Sequence, residues 1–171
     1  MATMSDAGPT GGSGPAGGSG PNPYAEALLA AVRAALPGWV VAQVHRLAIA
    51  SGRGVDAALA AAARAAGETA GREVGDALAR LLATDVDAQR TNPLAVLRGA
   101  VPYPTAVLRD AGVPEVVRDA FDERAFPDDV YGLAIAAWRD LGEDVHEAGI
   151  VWGAWKAQTF LARRRAEGRL G

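Results

Sequence analysis

The chain has 171 residues, no cysteine, a single lysine, two histidines and a net charge of −3. Disulfides, thiolate metal sites and cysteine nucleophiles are therefore excluded. A mild acidic balance with both signs spread along the chain argues against non-specific nucleic-acid binding, which needs a concentrated basic surface.

Residues 1–21 open with MATMSDAGPTGGSGPAGGSG. A segment of this composition buries almost nothing and keeps its chain entropy, which predicts a disordered tail. It has no basic start and no apolar run, so it does not read as a secretory signal. Residues 22–171 are expected to form one helical domain, with a long-helix half over 22–83 and a Pro-punctuated half over 84–168.

Asn22-Pro23 is a helix start, with Asn as N-cap and Pro in the first turn. Leu28, Leu29, Val32 and Leu36 follow at helical spacing, and Pro37-Gly38 predicts a stop. A second helix is expected from Trp39 to Ser51 on Val40, Val44, Leu47 and Ser51. The most apolar stretches, Ala25–Leu36 and Val40–Ala50, are broken by Arg33, Pro37-Gly38, His45 and Arg46, and neither reaches the roughly 18–20 residues that a membrane span requires. A third helix, about Val55 to Thr84, carries the stripe Val55, Leu59, Ala62, Ala66, Ala70, Val74, Leu78 and Leu81. Arg64, Glu68, Arg72, Asp76 and Arg80 alternate in sign on its other face, an i,i+4 ladder of about 0.2–0.5 kcal/mol per pair that marks a solvated surface. Gly67, Gly71 and Gly75 predict either tight packing or local softness.

Asn92-Pro93 caps a short helix with Leu94, Leu97 and Val101. Pro104-Thr105 opens another, closed by Gly112-Val113-Pro114 as a left-handed glycine cap. A turn and loop over 114–127 precede a helix from Asp128-Asp129 through Tyr131, Ile135, Trp138 and Leu141 to Gly142. The last helix is expected from Asp144, with Glu147 closing a capping box. Its stripe is Ala148, Val151, Trp152, Trp155, Thr159 and Ala162. No strand alternation appears. The fold class is all-α: a single bundle of about five to seven short helices.

The runs Asp85-Val-Asp-Ala-Gln-Arg-Thr-Asn-Pro-Leu94, Val101-Pro-Tyr-Pro-Thr105, Ala111-Gly-Val-Pro114, Phe121-Asp-Glu-Arg-Ala-Phe-Pro-Asp-Asp-Val-Tyr131 and Trp152-Gly-Ala-Trp-Lys156 resemble an uncharacterised family of small actinobacterial proteins. The resemblance covers about half the chain. It implies a high-GC bacterial origin and an intracellular protein, and it carries no catalytic residue with it.

Chemistry has few footholds. Asp119, Asp122, Glu123, Asp128 and Asp129, with His146-Glu147, are the best candidates for an enzyme, small-ligand or metal site. Their spacing matches no metal loop, and helix starts attract such acids unaided. Asp85 and Asp87 look like ordinary helix-end acids, and His45 like a boundary histidine. No phosphate loop or nucleophile elbow occurs. Arg163, Arg164 and Arg165 suit the helix dipole, with RNA or ribosome contact as the sharper alternative. The sequence therefore predicts a cytoplasmic, non-catalytic helical protein-interaction module without a cofactor. Its candidate surface is Asp122, Glu123, Asp128, Asp129, Tyr131, Arg163, Arg164 and Arg165, its partner is another protein, and neither membrane nor nucleic acid is expected.

Overall fold

The computed structural model describes residues 22–113 and 135–169. The tail over 1–21, the turn and loop over 114–127 and the helix start at Asp128-Asp129 lie outside the described residues. Every regular element within them is helical. Over the described residues this is the all-α bundle read from the sequence, with three helices of 24, 27 and 28 residues where short ones were expected.

α1 runs Pro23–Ala50. Asn22 caps it as expected, its side chain accepting the Tyr24 N–H at 3.0 Å. The break at Pro37-Gly38 does not occur, and the two expected helices are one. A proline inside a helix costs about 3 kcal/mol. Leu28, Val32, Leu36, Val40 and Val44 are fully buried and stay in phase across Pro37. Each such side chain stabilises by about 1.5–3 kcal/mol, so one continuous stripe outweighs the lost hydrogen bond. Gly52, at φ 73°, ends α1: the Gly52 N–H donates to Ile49 C=O and the Arg53 N–H to Ala48 C=O. The fusion also removes the premise that no apolar stretch is span-length. Among the described residues α1 alone is long and apolar enough to cross a membrane, by length and composition only.

α2, Ala57–Ala83, returns antiparallel to α1 from an Asp56 cap that accepts the Leu59 N–H at 2.7 Å. Its glycines settle the choice between tight and soft. A Cβ on Gly67 would lie 2.7 Å from the Pro37 carbonyl oxygen, and one on Gly71 3.0 Å from the Pro37 ring. The two backbones touch where other side chains would hold them apart. Leu59, Ala70, Val74 and Leu78 of the expected stripe are buried, and the close approach adds Ala63, Gly67 and Gly71, with Leu82 also buried, while Ala62 is exposed and Ala66 and Leu81 are only half-buried. Val55 precedes the helix and is exposed. The charged ladder is solvated throughout. Its Asp76 pairs with Arg33 of α1 at 2.6 Å, across the helix pair instead of along α2.

α3 (Pro93–Leu97) is capped by Asn92, and a 3-10 turn over 98–100 leads into α4 (Pro102–Asp110). α4 starts at Pro102, two residues ahead of the expected Pro104. It ends as its sequence predicts. With Gly112 at φ 70°, the Gly112 N–H donates to Arg109 C=O and the Val113 N–H to Leu108 C=O at 2.8 Å. Val107, Leu108 and Val113 close a cluster over Val44, Leu47, Leu59 and Ala63 at one end of the α1–α2 pair.

The described part of the helix expected to run to Gly142 does not form an α-helix. Ile135 to Ala137 are not helical, and Trp138–Leu141 forms a 3-10 turn. The Asp140 carboxylate accepts the Ala136 and Ala137 N–H groups at 2.8 and 2.9 Å, satisfying the backbone that an α-helix would have paired internally. α5 follows, Glu143–Ala166. It starts from Gly142 without a side-chain cap, so the Asp144–Glu147 capping box does not form; Asp144 already lies within the first turn. α5 runs antiparallel to α1, with the Trp155 and Tyr24 ring centroids 6.2 Å apart. The main core joins α1, α2, α3 and α5 around Leu28, Leu36, Leu78, Leu97, Val145 and Trp152.

Candidate interaction face

The two sides of α5 have opposite fates. Inward, Val145, Gly149 and Trp152 are buried. Gly149 seats the Trp138 indole, because a Cβ there would fall 2.5 Å from the ring. Trp155, expected in the core, is half-buried, and Val151, from the same expected stripe, is 44% exposed.

Outward, Ile150 is 55% exposed and Leu161 43% exposed, with exposed Ala154 and Ala157 between them. These four lie at spacings of four, three and four, one line along the helix. Val151 and Phe160 flank the line, and Phe160 is 38% exposed. Glu143 and Asp144 stand in the first turn and Arg163, Arg164 and Arg165 in the last. The sequence reading missed this line because the tryptophans set the phase of its stripe. The four-three-four spacing of Ile150, Ala154, Ala157 and Leu161 was the signal that marked it.

The three C-terminal arginines do not act together. Arg163 reaches the turn after α2: its Nη1 donates to Asp85 Oδ1 at 2.7 Å and Asp87 Oδ2 at 2.9 Å, and its Nη2 to Asp85 Oδ2 at 3.0 Å. Hydrogen bonding to Arg163, then to the Asp87 N–H, holds the Asp85 carboxyl below its ordinary value. The same carboxylates hold the Arg163 guanidinium above its own. The unremarkable acid pair is thus a clasp on α5. Arg164 stacks its guanidinium 4.8 Å over the Phe160 ring, and Arg165 is exposed. Asp119, Asp122, Glu123, Asp128, Asp129 and Tyr131 lie outside the described residues. Among the described residues no group of three His, Asp or Glu side chains is placed to hold a metal.

Beside the clasp, a cleft of about 300 Å³ is lined by Gln89, Arg90, Asn92, Trp152 and Lys156. The Lys156 ammonium sits 5.2 Å over the Trp152 ring. His45 is half-buried between α1 and α2, facing a groove that Arg64 and Glu68 also line. No protein-family model, curated protein or solved structure matches the chain.

Proposed function

We propose that the chain is a non-catalytic helical protein-interaction module of the bacterial cytoplasm, and that the outward face of α5 is the surface it offers. The observation that carries this reading is the line Ile150, Ala154, Ala157 and Leu161, apolar, exposed and continuous along one helix. Isolated exposed apolar residues need no explanation, but a contiguous set rimmed by charge is how protein-contact surfaces are built. The engagement of Arg163 with Asp85 and Asp87 weighs against a phosphate-binding arginine cluster at the same end.

The test is site-specific photocrosslinking in the native host, with the probe at Ala154 and a control probe at Arg64 on the solvated face of α2. Protein adducts are expected from position 154, absent at 64, and lost when Ile150→Glu and Leu161→Glu are combined in a chain whose helical circular dichroism is unchanged. Equal labelling at both positions, indifferent to the double substitution, would refute the reading.

A further inference from the structure

We infer that the outward face of α5 pairs with the same face of a second copy of this chain, the two helices running antiparallel. The inference rests on the interaction reading above and specifies the partner. Spacings of four, three and four are those of a coiled-coil seam, here two heptads long. Antiparallel pairing about a two-fold axis between residues 155 and 156 makes this seam self-complementary. Ile150 then opposes Leu161 and Ala154 opposes Ala157, with Val151 and Phe160 on opposite flanks of the seam. The bulky residues stand at the ends and the alanines at the centre, so the helices approach closely in the middle while aliphatic side chains close each end. All of these residues but one are exposed at or above two-fifths or are alanines open to solvent; Phe160 is 38% exposed.

Charge selects the orientation. In the antiparallel register Glu147 of one copy opposes Arg164 of the other, and the first-turn acids come to the end that carries Arg164 and Arg165. Glu143 is already paired with Arg139, and Arg169, beyond the helix, with Glu167, so the Glu147–Arg164 pair sets the orientation. A parallel pair would set Glu147 against Glu147 and Arg164 against Arg164, and like charges facing each other are unfavourable. The same polarity suits the dipole of each helix alone, and antiparallel alignment uses it a second time. Around the two-fold axis every contact occurs twice, as a symmetric dimer requires. Twelve residues of helix span roughly 18 Å, a seam shorter than standard interfaces, which places the dimer in the weak, reversible class.

Sedimentation equilibrium of the full chain tests the inference. The weight-average mass is expected to rise from monomer toward dimer between about 1 μM and 1 mM, the weak end of protein association. Ile150→Glu with Leu161→Glu should hold the chain monomeric throughout, with unchanged circular dichroism. Glu147→Arg and Arg164→Glu should each weaken the dimer several-fold, and the two together should restore it, a rescue that parallel pairing cannot give. Because the chain has no cysteine, orientation is also readable by mixing Ala154→Cys and Ala157→Cys chains under mild oxidation. The antiparallel dimer gives the mixed disulfide in excess, whereas a parallel dimer gives 154–154 and 157–157 products. A chain monomeric to 1 mM, a dimer indifferent to Ile150→Glu and Leu161→Glu, or predominantly like-with-like disulfides would overturn self-pairing. If the chain stays monomeric while the photocrosslinks at 154 persist, only the identity of the partner fails. If those are also absent, the interaction reading fails with it.

Discussion

Asp85 and Asp87 meet Arg163 across 78 and 76 positions of sequence. Local pattern cannot reveal such a partner, because nothing within a few residues of either acid anticipates an arginine at the far end of α5. Caps whose partners lie within five residues are different. Asn22, Asn92 and Gly112 were all legible, since their hydrogen bonds are set by the local chain. The clasp has a definite pH signature. The Asp85 carboxyl is held below its ordinary value of 3.8, so its contribution is complete above that value and disappears as pH falls through the lower folded one. The last turns of α5 should therefore stay docked from neutral pH down to about 4 and loosen below it. Amide exchange of Phe160 to Ala166, followed against pH, checks this. Asp85→Asn should show the loosened rates already at pH 7. Loosening of the wild type on raising the pH would contradict the assignment.

At the scale of elements, Pro37 and the glycines of α2 decide how the two longest helices meet. The sequence showed that Gly67, Gly71 and Gly75 share a face but not what lay across it, and it took Pro37 as a terminator. Both errors have one source: the cost of a proline or a glycine is local, whereas the packing that offsets it comes from another helix. Position by position the contacts are unequal. Gly67→Ala drives a methyl into the Pro37 carbonyl, which cannot yield, whereas at Gly75 the nearest atoms belong to the flexible Arg33 side chain. Thermal or urea unfolding should show Gly67→Ala destabilised by a net of up to about 2 kcal/mol, overpacking less the helix-propensity gain. Gly75→Ala should fall between neutral and about 1 kcal/mol stabilised. Equal effects at the two positions would mean that the α1–α2 contact is looser than described.

For the whole molecule, α1 is the hub: α2, α4, α5 and the Trp138–Leu141 turn all pack on it. Local opening of any one of them leaves α1 covered by the others, so its middle is exposed only in global unfolding. Native-state hydrogen exchange should accordingly be slowest for the amides of Val32 to Val44 and much faster for α3 and the end of α5. Comparable protection of α1 and α3 would argue against this hierarchy. Composition and apolar periodicity sufficed for the all-α class, because each helix displays its own period. They did not supply the hub, since which stripe meets which depends on distances between elements. The candidate face was partly legible: the arginines and acids of α5 stood out, while the line between them was hidden by two tryptophans that drew the phase toward the core.

Pro37 also sets a rule of inheritance for the glycines opposite it. At position 71 the obstacle to a methyl group is the pyrrolidine ring; at 67 it is the main chain of residue 37 itself. A lineage that first exchanges Pro37 for alanine is thereby released to replace Gly71, but remains barred from replacing Gly67 whatever residue 37 becomes. The order of events matters, since Gly71→Ala arising first meets a tight contact with the ring that the reverse order never meets. A double-mutant cycle should show strong coupling between Pro37→Ala and Gly71→Ala and near-additivity between Pro37→Ala and Gly67→Ala. Related chains should accordingly let residues 37 and 71 drift as a pair while keeping glycine at 67.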